Sequence, residues 1–168
     1  MRRAFFIGSI GIIAIAMWVI VVNYNNNSIS VPVTPTEQTN ISPVYFREIA
    51  HGVHSTVTTR ANYLITSSLE FSALWKMIDA PGQKPTIDFT KNNVMAVFSG
   101  SKSTAGYDIT VSKIEDTESR MVKVLLTKPG VSCLLAESTT NPYQVIEVSK
   151  TELTLTHEDK ETTVGCLQ

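Results

Sequence analysis

Asn93-Val94-Met95-Ala96-Val97-Phe98-Ser99 and, after a short loop, Tyr107-Asp108-Ile109-Thr110-Val111 are the stretches whose reading decides the fold. The first is apolar at odd and even positions alike, as a strand is when both of its faces are covered. The second alternates, so Tyr107, Ile109 and Val111 share one face of a strand. Downstream, Val122, Val124 and Leu126 repeat the alternation before Pro129-Gly130 turns the chain. Residues 143–148 and 152–157 supply two more strands, and residues 44–50 and 61–66 two upstream ones. Between them one helix is marked at both ends. Ser67-Ser68-Leu69-Glu70 is a capping box, Phe71, Leu74, Trp75 and Ile78 form an apolar stripe, and Pro81-Gly82 ends it. Short strands around one helix predict an α+β domain over residues 44–168, mainly antiparallel β-sheet with one packed helix.

Upstream of that domain the composition changes twice. Met1-Arg2-Arg3 precedes an uncharged apolar run over residues 4–22. Nineteen residues at about 1.5 Å each span roughly 28 Å as a helix, close to the ~30 Å hydrocarbon core. The next basic residue is Arg47, so the charge asymmetry places residues 1–3 in the cytoplasm and the domain on the extracytoplasmic side. Trp18 and Tyr24 fall near the outer interface. The exit, Met17-Trp18-Val19-Ile20-Val21-Val22-Asn23, lacks the small residues of a cleavage site, which favours an uncleaved anchor over a cleaved signal. Residues 23–43 carry Pro32, Pro35 and Pro43 among Asn, Ser and Thr, and read as a flexible tether. The expectation is a single-pass membrane protein that meets lipid through one transmembrane helix, residues 4–22.

The chemistry of the domain is sparse. Net charge is −1 with the signs interspersed, and without a basic stripe nothing points to nucleic acid. Cys133 and Cys166, the two cysteines, suit a disulfide in an oxidising compartment. His51-Gly52-Val53-His54 offers two histidines, whereas zinc needs three or four ligands. Residues three apart on a strand also point to opposite faces, so these histidines are expected to flank a turn at Gly52. Gly100-Ser101-Lys102-Ser103-Thr104 follows a strand but lacks the spacing and the following helix of a phosphate loop. Ser132 has no nucleophile-elbow signature, and Asp79 and Asp88 read as helix-end and turn residues. The reading is therefore a non-enzyme with no metal and no cofactor; the competing one is a small hydrolase using a histidine such as His54.

One constellation adds to this. Pro85-Thr86-Ile87-Asp88-Phe89 leads into Val94-Met95-Ala96-Val97-Phe98, then come Gly100, Thr104-Ala105-Gly106-Tyr107, Pro129-Gly130, and Asn141-Pro142-Tyr143 before Val145-Ile146-Glu147-Val148. In order and spacing this resembles the C-terminal domain of the PrcB family, named for a non-catalytic subunit of a bacterial surface protease complex. The resemblance is read over residues 46–149, with Ala105 in place of the first glycine of the family's T-G-G-Y loop. It implies a partner role, assembling with or regulating an extracytoplasmic protease. Candidate contact residues are Lys102, Ser103, Thr104, Ala105, Gly106, Tyr107, Asn141, Pro142 and Tyr143. Direct protease inhibition by insertion of the loop at 102–107 is the alternative, and a tight strand-to-strand turn with Tyr107 on the core is the structural one.

Overall fold

Each parity of the central apolar run meets a different layer of the protein. The computed structural model describes residues 40–80 and 82–166. Its elements are β1 (Ser42–Pro43), β2 (Phe46–Gly52), β3 (Arg60–Ile65), α1 (Ser68–Trp75), β4 (Asn92–Ser99), β5 (Asp108–Asp116), β6 (Ser119–Pro129), β7 (Tyr143–Ser149) and β8 (Thr154–Val164). They form two four-stranded sheets, ordered β1-β5-β6-β8 and β2-β7-β4-β3. Val94, Ala96 and Phe98 of β4, with Tyr143 and Val145 of β7, pack with Phe71, Leu74 and Ile78 on the helix side. Met95 and Val97, with Ile146 and Val148, pack instead with Ile109, Val111, Ile114, Val122 and Val124 of the other sheet. The second sheet is thus covered on both faces, which is why β4 carries no polar alternation.

Among the described residues the mainly antiparallel sheet and the one packed helix are as expected, with two refinements. There are two sheets, and β8 lies parallel to β6, because the chain crosses to the second sheet for β7 before returning. The capping box forms: the Ser67 hydroxyl accepts from the Glu70 N–H at 3.3 Å, and the Glu70 carboxylate accepts from the N–H groups of Thr66 and Ser67. The helix stops at Trp75, before Ile78, because residues 77–79 bond to the segment 54–56 instead: Thr56 N–H to the Met77 carbonyl at 2.8 Å and Asp79 N–H to that of His54 at 3.1 Å. Strand β8 runs on to Val164, past the expected end at 157, since its charged stretch needs only the ladder with β6 and no buried face.

Ser42 and Pro43, counted with the tether, pair with Asp116 and Glu115 as β1. Residues 1–39, which hold the expected stub, anchor and most of the tether, lie outside the described residues. Among the described residues no helix is long and apolar enough to cross a membrane.

One buried polar side chain joins the sheets. The β5–β6 register shifts between Val111 and Lys113, which takes the Val111 N–H out of the regular ladder. Gln144 of β7 accepts it at 2.6 Å and donates its own amide to Glu48 at 2.5 Å. Next to it His51 Nε2 lies 2.6 Å from Asp108 Oδ1, so β2 and β5 are tied across the layers.

Candidate functional site

Three loops meet where β4 ends. Gly100 takes φ +75°, turning the chain out of the sheet, and the Ser101 N–H reaches the Thr58 carbonyl at 3.0 Å. Lys102 and Thr140 exchange both backbone hydrogen bonds, at 2.8 and 3.0 Å. Asn141 holds the third loop: its N–H donates to the Val53 carbonyl at 2.8 Å and its amide to the Ser55 carbonyl at 2.9 Å. The Ser101 hydroxyl donates to the Asn141 side-chain oxygen at 2.6 Å. Thr140 Oγ1 donates to the Thr104 carbonyl at 3.2 Å, and the Ala105 N–H to that of Ala136 at 3.2 Å. Segments 102–107 and 140–141, distant in sequence, are one laced cluster.

Within it the glycine chemistry is settled by the second glycine position. Gly106 carries φ +88°, and no non-glycine residue among those described has a positive φ. Ala105 therefore sits beside Gly106 without backbone strain. A Cβ at Gly106 would also stand 3.2 Å from Pro129 and 3.3 Å from the Leu135 side chain, so the loop packs on the turn after β6. Tyr107 precedes β5 and is half-buried, with the Lys102 ammonium 5.5 Å from its ring centroid. Ser103 and Gly106 are exposed.

Two of the candidate contact residues are buried. Pro142 is fully buried and Tyr143 is 0% exposed, so both are core residues beneath the loops. Tyr143 opens β7, where a strand is expected from the sequence, but it faces the helix-side core and not the surface. Its hydroxyl is buried with no hydrogen-bond partner among the described residues. Burial, helped by the charge of Asp79, pushes the phenol above its ordinary pKa. Tyr143→Phe is accordingly expected to be neutral or to stabilise by up to about 1 kcal/mol, since it deletes an unpaired buried donor. Urea unfolding checks this, and partner binding should be unchanged.

Sequence reasoning overlooked Val131 and Leu134, whose side chains are fully exposed at 109% and 103%. Their loop is fastened by the Cys133–Cys166 disulfide, with Cα atoms 5.2 Å apart, and by the Gly130 N–H on the Val164 carbonyl at 2.9 Å. The available signal was Gly130-Val131-Ser132-Cys133-Leu134-Leu135, apolar residues flanking a cysteine without strand periodicity. The histidines stay apart: His51 sits in β2 against Asp108, and His54 is exposed on the next loop. Among the described residues no group of three or more His, Cys, Asp or Glu side chains is placed to hold a metal.

Fold and site together define a two-sheet β-domain that presents a hydrogen-bonded loop cluster beside a disulfide-fastened apolar loop. Residues 93–149 match the family described as PrcB C-terminal, a span that takes in β4 to β7 and every loop residue just described from Gly100 to Asn141. The resemblance read from the sequence holds over that span; β2, β3 and α1, which it was read to include, precede the match. Neither the curated proteins nor the solved structures yield a match.

Proposed function

We propose that this chain is a non-catalytic accessory subunit that binds an extracytoplasmic protease through the loop cluster, with residues 4–22 holding it at the membrane. The observation that carries the proposal is the coincidence of the family match with the fully exposed Val131 and Leu134 on a disulfide-fastened loop. An apolar pair held rigid in water is costly unless something covers it, and a fastened loop loses little entropy when it is covered. Around it, Ser103, Thr104 and Gly106 let a partner backbone approach closely, while Tyr107 and Lys102 supply an aromatic and a charged contact.

Affinity capture of the tagged full-length protein from crosslinked, detergent-solubilised native membranes tests the proposal. The expected result is enrichment of one extracytoplasmic protease. Thr104→Ala with Tyr107→Ala, or Val131→Asp with Leu134→Asp, should lower its recovery at least about tenfold, as loss of central contacts does. Undiminished capture by both folded double variants would remove the loop cluster as the contact surface. Titrating the captured protease separates this role from direct inhibition: an accessory subunit preserves or raises turnover, and an inhibitor lowers it stoichiometrically.

A further inference from the structure

The sheet edges of this domain are not equally protected. An open edge exposes unpaired backbone groups to any extended chain, and proteins blunt such edges with charges, prolines or bulges. Pro43 of β1 and Val44, whose N–H bonds the Ile114 carbonyl at 2.9 Å, cover the β5 edge. Strand β2 carries Arg47, Glu48 and a register irregularity between Glu48 and Ala50. Strand β8 carries His157, Glu158, Asp159, Lys160 and Glu161 in succession. Strand β3 has none of these devices after Arg60: it reads Ala61-Asn62-Tyr63-Leu64-Ile65.

The hydrogen-bond parity shows which groups this edge presents. The Ser99 N–H bonds the Pro142 carbonyl on the β7 side of β4, so Phe98, Ala96 and Val94 turn their backbone groups toward β3. Their partners are Ala61, Tyr63 and Ile65, which leaves the N–H and C=O of Asn62 and Leu64 pointing outward. Neither finds a partner among the described residues. A depression flanks the strand on each face. Toward α1, Tyr63 and Ile65 border Ala73, Leu74 and Met77. Toward the other sheet, Leu64 borders Met95, Val122 and Leu155 in a cleft of about 180 Å³, below the ~300–1,000 Å³ usual for small-molecule sites and suited to side chains. Tyr63 and Leu64 remain 40% and 42% exposed.

We infer that the outer edge of β3, unpaired among the described residues, receives an extended, uncharged segment of a partner polypeptide, which adds as a fifth strand and seats alternate apolar side chains in the two depressions. The backbone chemistry selects a strand, because Asn62 and Leu64 offer a donor and an acceptor each at two-residue spacing. Charge complementarity selects an uncharged one. Arg60 at the end of the strand is already paired with Asp159 at 2.7 Å, the Glu70 carboxylate beside the α1 depression is taken up by the helix cap, and the cleft toward the other sheet is lined by no Asp, Glu, Lys or Arg side chain, His157 standing at its border. This surface is separate from the loop cluster, and its use stands or falls independently of the protease reading.

The test pans a phage-displayed random dodecapeptide library on the full-length protein in detergent micelles. Enriched peptides are expected to be uncharged, with apolar residues at alternate positions. Asn62→Pro removes an outward N–H without touching a ladder bond, and Leu64→Lys blunts the edge; each should weaken binding at least tenfold while unfolding at the wild-type urea concentration. Hydrogen exchange at Asn62 and Leu64 should slow when peptide is added. Retained binding in both variants would overturn the inference, as would protection confined to residues 102–107 or amides already slow in the free chain. Self-association abolished by Asn62→Pro would also overturn it, because the occupant would then be a second copy.

Discussion

Gly100→Ala is expected to destabilise the domain by about 2–4 kcal/mol, lowering the thermal midpoint by roughly 10 °C. Two effects add at this position. The residue has φ +75°, where a Cβ costs about 1–2 kcal/mol. A Cβ there would also lie 3.0 Å from Arg60 N, Thr58 O and Thr59 C, all backbone atoms that cannot swing aside. The natural control is Gly82, with a similar φ of +86° and nothing within 4 Å of its Cβ. Gly82→Ala should cost only about 1 kcal/mol. Urea unfolding of the two variants separates conformational cost from crowding, and equal losses would show that the backbone around Thr58–Arg60 yields. The consequence extends to the loop cluster, because Gly100 opens it and Thr58 accepts the bond from Ser101.

Removing the disulfide is the second large effect. Cys133 and Cys166, separated by 33 positions, close most of the chain from the turn after β6 to the end of β8. The chain-entropy model gives roughly 3–4 kcal/mol for a loop of that length. The paired Cys133→Ser and Cys166→Ser variant should lose about that much in urea unfolding, and the wild type in reductant should match it. The same variant frees the loop bearing Val131 and Leu134, so partner capture should fall further than stability alone dictates. A variant that lost stability but captured its partner at the wild-type level would show that fastening the loop serves folding and not binding.

How far the sequence carried these conclusions depended on whether the signal was local. The helix start was legible because a capping box is written within four consecutive residues, Ser67 to Glu70, and needs no partner from elsewhere. Strands β4 and β5 were legible because burial on two faces or on one leaves its own parity in the side chains. The end of α1 was not, since the competing bonds from 54–56 come from another part of the chain. The site divided in the same way. Thr104, Gly106 and Tyr107 stood out through their small-residue pattern, whereas Val131 and Leu134 carry no pattern distinguishing exposed from buried. Tyr143 shows the converse: it is legible as the start of a strand, but its burial depends on the helix-side residues packed against β7.

The sequence by itself determined the α+β character, the start of the helix, the strands around β4, the family resemblance, whose matched part is residues 93–149, and the pair of cysteines available for bonding. These rest on periodicity, caps and residue identity, which act over a few residues. Only the tertiary structure decided that the described strands form two sheets, that β8 runs parallel to β6, that segments 102–107 and 140–141 share one cluster, and that β3 is an edge strand without a further pairing partner among the described residues. Those features depend on which strand lies beside which. Strand adjacency is set by long-range burial and backbone pairing, and neither leaves a local mark in the chain.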